Sequence, residues 1–130
     1  MPSETDAART STPPPGELLK GNTPTLILAV LRDAPRHGYA VAREIERRSG
    51  RALVLNEGSL YPALRALERD GLVTSGWQAQ TSGPNRKVYA LTQAGRAELA
   101  RRERSWRAFV RAIEDVIGGG GKDSHEPQPA

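Results

Sequence analysis

Apolar residues along this chain fall into four helical segments and two short β-prone runs, all between Glu17 and Ile117. The first helix is expected to start at Thr23, with Pro24 in the first turn, where a missing N–H costs nothing. It runs through Leu26, Ile27, Val30 and Leu31 to about Arg32, and Asp33-Ala34-Pro35 stops it. A second helix over Tyr39–Ser49 has Val41, Ala42 and Ile45 on one face and Arg43, Glu46, Arg47 and Arg48 on the other, with Gly50 as its stop. In the third, Leu60, Ala63, Leu64 and Leu67 repeat at i, i+3, i+4, i+7, and Asp70-Gly71 supplies a C-terminal cap. Ser59 is the expected N-cap, which would make Pro62 the third helical residue and leave no bond broken. A start at Asn56 would instead put Pro62 inside the helix and kink it. The face opposite the apolar stripe presents Tyr61, Arg65 and Arg69.

Leu72–Gln78 and Arg86–Leu91 suit a two-stranded hairpin with a long tip, Ala-Gln-Thr-Ser-Gly-Pro-Asn. Thr92 then caps a last helix from Gln93 to about Ile117. Leu99, Trp106, Phe109, Ile113 and Val116 in it keep heptad spacing, with Arg102 filling one slot, a weak coiled-coil signal. Outside these elements, residues 1–16 contain Thr10-Ser11-Thr12-Pro13-Pro14-Pro15-Gly16 and read as a disordered arm. Residues 118–130 open on four glycines and read as a flexible tail, and Gly121-Lys122-Asp123 lacks the ending of a phosphate loop. The expected fold is mainly α with a two-stranded β-wing: a winged helix-turn-helix domain over 17–92, followed by a C-terminal helix over 93–117. Element order alone does not separate it from folds that bind no DNA.

Charge adds a direction. The chain of 130 residues carries a formal +4, but four acids and only two bases lie outside Glu17–Gly118. The central block therefore has seventeen bases against eleven acids, a surplus of six. This balance favours a polyanionic partner, although sixteen of the nineteen bases are arginine and could reflect genome composition. The absence of cysteine removes disulfides, thiolate metal sites and cysteine nucleophiles. His37 and His125 are the only histidines, too few for a histidine-based triad or a metal site within one chain, so neither catalysis nor a cofactor is expected. No apolar run approaches the roughly 20 residues that cross a bilayer, and the N-terminus lacks the basic start and apolar stretch of a secretory signal. A cytoplasmic protein is expected.

Three blocks of sequence resemble the PadR-like family of transcriptional regulators. They are Leu19–Leu31 followed by His37-Gly38-Tyr39, then Asn56–Leu64 with Leu67-Glu68-Arg69-Asp70-Gly71-Leu72, and finally Arg86–Thr92 with Gly95. They fall in family order over about Leu18 to Ile117; Val88 departs from the pattern, where an aromatic residue is common. The resemblance implies a homodimeric winged-helix repressor that exchanges its last helix across a two-fold axis. The short C-terminal helix looks like the compact subfamily. Family members often sense small aromatic or drug-like molecules, some by stacking them on a tryptophan of the last helix.

With that family as guide, Ser59, Tyr61 and Arg65 are expected on the recognition helix in the major groove of a pseudo-palindromic DNA operator. Arginine there can grip guanine in bidentate fashion, while serine and tyrosine more often bond phosphate. Arg86 and Lys87 make the wing basic enough to reach phosphate or a narrow minor groove. Tyr39 sits where the preceding helix N-terminus favours phosphate. Trp106, with Phe109, Val110 and Ile113, is expected at the dimer interface, where two indoles could hold a planar aromatic effector. Each residue also has a plainer reading: Tyr61 and Tyr39 as packing, Arg65 paired with Glu68, the wing cations as protection of a strand edge, Trp106 as interface packing only. Trp77 is expected to pack, and His37 to be a turn residue. The competing class is a winged helix whose basic face docks an acidic protein.

Overall fold

The computed structural model describes residues 16–119, so most of the expected arm and tail lies outside the described residues. Its elements are α1 (Gly16–Asp33), β1 (Arg36–His37), α2 (Gly38–Arg48), α3 (Glu57–Arg69), β2 (Val73–Gln78), β3 (Arg86–Leu91) and α4 (Gln93–Ile117). The chain divides after Leu99 into two compact units.

The first unit packs α1, α2 and α3 around one core. Ile27, Leu28 and Leu31 of α1 meet Val41 and Ile45 of α2 and Leu60, Leu64 and Leu67 of α3, all nearly inaccessible. Val73, Tyr89 and Leu99 close it from the strands and the start of α4. The i, i+3, i+4, i+7 stripe of α3 faces this core as its spacing predicts, with Ala63 partly buried beside it. Both α2 and α3 end in a paired-bond motif closed by a glycine. Gly50 and Arg51 donate to the carbonyls of Arg47 and Glu46, and Gly71 and Leu72 to those of Glu68 and Leu67. Gly71, at φ +78°, turns the chain out of α3 into the wing.

Two helix starts differ from expectation. Helix α1 begins at Gly16, not Thr23, and Pro24 lies inside it. The side chains of Asn22 and Thr23 donate to the carbonyls of Leu18 and Leu19 at 2.7 and 2.9 Å, and Leu19 packs against the core, so the turns before the proline remain anchored. Helix α3 is capped by Asn56, not Ser59: the Asn56 side chain accepts from the Ser59 N–H at 2.9 Å. Pro62 is then inside α3 and forfeits the bond to the Gly58 carbonyl, in the first turn of the helix at an exposed residue. The helix keeps the Asn56 cap and the turn it adds despite that lost bond.

The sheet also differs, having three strands rather than two, in the order β1-β3-β2, all antiparallel. Arg36 and His37 pair with Tyr89 and Val88, so His37 is a strand residue rather than part of a turn. On the other edge of β3 the register runs from Val73↔Leu91 to Gln78↔Arg86. Thr92 caps α4 as predicted: its hydroxyl accepts from the Gly95 N–H at 3.0 Å and donates to the Gly71 carbonyl at 2.7 Å.

Candidate nucleic-acid interface

The chain enters α2 directly from β1. His37 gives its first turn no side-chain cap, and Gly38 follows, buried. Gly38 is small because Tyr61 lies against it: a Cβ there would stand 2.7 Å from the ring's Cε1 and 2.9 Å from its hydroxyl. Tyr39, the next residue, is exposed, with the Arg43 guanidinium of the following turn 5.6 Å over its ring. Gly38, Tyr39 and Tyr61, together with His37, Tyr89 and the wing cations Arg86 and Lys87, line a cleft of about 330 Å³. A broader concavity of about 1080 Å³ between α2 and α3 shares Tyr39, Tyr61 and Arg86 and adds Arg36, Arg43, Arg47 and Arg51 against Glu44, Glu46 and Glu57.

Four of the six expected DNA-contact residues, Tyr39, Tyr61, Arg86 and Lys87, therefore converge on one cleft. Ser59 and Arg65 line neither concavity; both are exposed along α3. Tyr61 also takes its plainer role, packing one edge on Gly38 while its ring lines the cleft. Glu68, a suggested partner of Arg65, accepts instead from the Ser75 hydroxyl at 2.7 Å. The buried Tyr89 hydroxyl is pushed above its usual range, first by burial and then by the Glu68 carboxylate, which keeps it a neutral hydrogen-bonding group.

Sequence reasoning missed three features. Arg36 enters the concavity from a strand too short to announce itself. Arg43 follows Tyr39 by four residues on the polar face of α2, a spacing that could have linked the two. Trp77, expected to pack, is 71% exposed, and its ring and that of Tyr89 flank the Lys87 ammonium at 5.9 and 5.8 Å.

On α2, Glu44 holds two arginines at once. It accepts from Arg47 at 3.0 and 2.5 Å and from Arg48 at 2.7 Å, while Arg48 also bonds Asp33. These charged hydrogen bonds, that from Arg47 foremost, lower the Glu44 carboxyl from about 4.5 to about 2. A depressed folded-state value means the clamp stabilises fully above pH 4.5 and is lost as pH falls towards 2. Acid titration of stability should show this loss in wild type and a flatter profile in Glu44→Gln; equal slopes would mean solvent screens the clamp completely.

The second unit carries the remaining expected residues. Trp106, Phe109 and Ile113 are 46%, 55% and 40% exposed, Val116 and Ile117 more so, and Val110 is half-buried. The Trp106 and Phe109 rings tilt at 44° with centroids 6.4 Å apart. Among the described residues no group of histidines and carboxylates could hold a metal ion, and no helix is long and apolar enough to cross a membrane.

Comparison with known proteins gives this architecture its place. The model of the transcriptional regulator PadR-like family matches residues 27–101, from the core of α1 through the start of α4. A transcriptional regulator of Mycobacterium tuberculosis (strain ATCC 25618 / H37Rv) is 38% identical over 93 residues, spanning 72% of this chain and 80% of the relative. Among solved structures, a PadR family transcriptional regulator from Eggerthella lenta DSM 2243 is similar at TM-score 0.70 and 30% identity, covering 78% of this chain and 86% of the other. A PadR family transcription regulator from Clostridium difficile R20291 follows at TM-score 0.63 and 31% identity, covering 74% and 97%. A winged helix with a basic, tyrosine-lined cleft between its helices and its wing, matched in sequence over more than half its length, places the chain in the PadR-like family of DNA-binding transcriptional regulators.

Proposed function

We propose that the chain is a cytoplasmic homodimeric repressor that reads a pseudo-palindromic operator and releases it when a small aromatic ligand binds near Trp106. The observation that carries the DNA-contact part is the convergence of Tyr39, Tyr61, Arg86 and Lys87 on one cleft beside the exposed residues of α3. In this reading Ser59 and Arg65 approach base edges in the major groove while the cleft holds the phosphate backbone, which fixes register without reading sequence. The two recognition helices of a dimer then sit about 34–36 Å apart, one turn of duplex. The exposed stripe of Trp106, Phe109, Ile113 and Val116 supports dimerisation through α4, since a protomer gains by covering it. The tilted Trp106–Phe109 pair offers a planar ligand an aromatic wall. Such a ligand acts by favouring one spacing of the helices, by no more than its difference in affinity between the two states.

The test is a titration of the purified protein against its own upstream DNA and a shuffled duplex at two salt concentrations. Specific, salt-sensitive binding at two protomers per site is expected. Arg86→Ala should weaken both duplexes about equally and lower the salt slope by about 1, whereas Arg65→Ala should relax preference at particular base pairs. Uniform losses from both substitutions would show their roles wrongly sorted. Failure of a folded dimer to bind either duplex would overturn the proposal in favour of an acidic protein partner.

A further inference from the structure

Trp77 is the largest of the exposed apolar side chains, Leu18, Val54 and Ile117 among them, to which the reading above gives no role. It sits on β2 directly opposite Lys87 of β3, and 71% of its surface is open to solvent. Burying a tryptophan is worth more than burying any other side chain of the wing, so one held out in water needs a reason beyond packing.

Its direction follows from strand alternation. Side chains two apart on a strand share a face, and paired residues of neighbouring strands share it too. Ser75, two residues before Trp77, bonds Glu68 of α3, so this face of β2 is turned towards the recognition helix. Lys87 and Tyr89 lie on the same face of β3, and both line the cleft with Tyr39 and Tyr61. Trp77 thus stands beyond Ser75 along the strand, on the helix-facing side of the wing and beside a cation that already belongs to the cleft. With Lys87 within 6 Å of its ring, the indole lies next to a charge that attracts phosphate.

We propose that Trp77 is a DNA-contact residue. Its indole packs against the sugar and base edges of the minor groove next to the major groove that receives α3, while Lys87 bonds the adjoining phosphate. Minor-groove binders combine basic side chains with apolar ones that wedge against the base steps. The proposal rests on the DNA-contact reading given above and adds to it an apolar, salt-independent contribution from the wing.

The test measures operator affinity of wild type, Trp77→Ala, Trp77→Phe and Lys87→Ala over a range of salt, with thermal unfolding as a check on folding. Trp77→Ala should bind about tenfold more weakly at every salt concentration with its slope unchanged, the loss of an apolar contact. Trp77→Phe should keep most of the affinity. Lys87→Ala should lower the slope by about 1, the loss of a phosphate contact. With Trp106→Phe leaving Trp77 as the one tryptophan, intrinsic fluorescence should change on adding operator. Wild-type affinity in Trp77→Ala, or Trp77 fluorescence that does not respond to bound operator in Trp106→Phe, would overturn the proposal while leaving specific binding by wild type intact. Absence of binding by wild type itself would instead overturn the DNA-contact reading beneath it.

Discussion

Gly95→Ala is expected to lower the stability of the winged domain by about 2 kcal/mol or more and its thermal midpoint by about 10 °C. A methyl group at this position would stand 2.1 Å from the Leu72 carbonyl oxygen and 2.7 Å from Leu91 Cδ1. That carbonyl is backbone, and it accepts the Thr92 N–H at 3.1 Å, so it cannot retreat without loosening the junction where α3, the wing and α4 meet. Alanine is the better helix former by up to about 1 kcal/mol, which offsets only part of the clash. Gly21→Ala supplies the opposite sign from the same substitution. Gly21 lies inside α1 with nothing within 4 Å of its missing Cβ, so stability there should rise by about 0.5–1 kcal/mol. Thermal unfolding of both variants decides the matter. An unchanged midpoint for Gly95→Ala would mean the junction yields far more readily than its bonds suggest.

Gly38→Ala should behave differently, because the obstacle is a side chain. The added methyl would lie 2.7–3.1 Å from three atoms of the Tyr61 ring, and a ring can swing aside where a backbone carbonyl cannot. The thermal midpoint should therefore fall little, while operator affinity drops about tenfold or more as Tyr61 leaves the cleft, a loss of at least 1.4 kcal/mol. A double-mutant cycle isolates the cause. Adding Gly38→Ala to Tyr61→Ala should cost almost nothing further, since the residue it displaces is already gone. Additive losses would place the effect in the backbone of α2 rather than in the tyrosine.

The parts of this fold that could be read from the sequence are those governed by local rules. Gly50 and Gly71 end helices because only a residue tolerant of positive φ completes the terminal bonds, and Thr92 caps α4 through its own hydroxyl. The stripe of α3 follows from period alone, and the β2–β3 pairing from two β-prone runs joined by a turn-rich loop. What escaped depended on tertiary context. Two residues of β1 carry no periodicity, and their pairing exists only because β3 lies beside them. Pro24 and Pro62 were expected in first turns, where no bond is lost, yet each lies inside its helix, near the side-chain bonds of Asn22, Thr23 and Asn56. At the candidate site, the family resemblance together with residue type pointed to six residues, of which the fold brings Tyr39, Tyr61, Arg86 and Lys87 together. Trp77 was hidden because an aromatic residue on a strand ordinarily packs inward, and exposure is not written in residue type.

The two-residue strand β1 has a mechanical consequence. By pairing with β3 it makes that strand an interior one, gripped along both edges, and it runs into α2 without an intervening residue. The wing and α2 are thus one caliper whose jaws share a common bar. Bending the wing at its root to alter their span would break the pairing of Arg36 and His37 with Tyr89 and Val88. A lineage that needed longer reach would find it in the tip at residues 79–85, where the sheet's ladder has ended and added length leaves the jaw setting untouched.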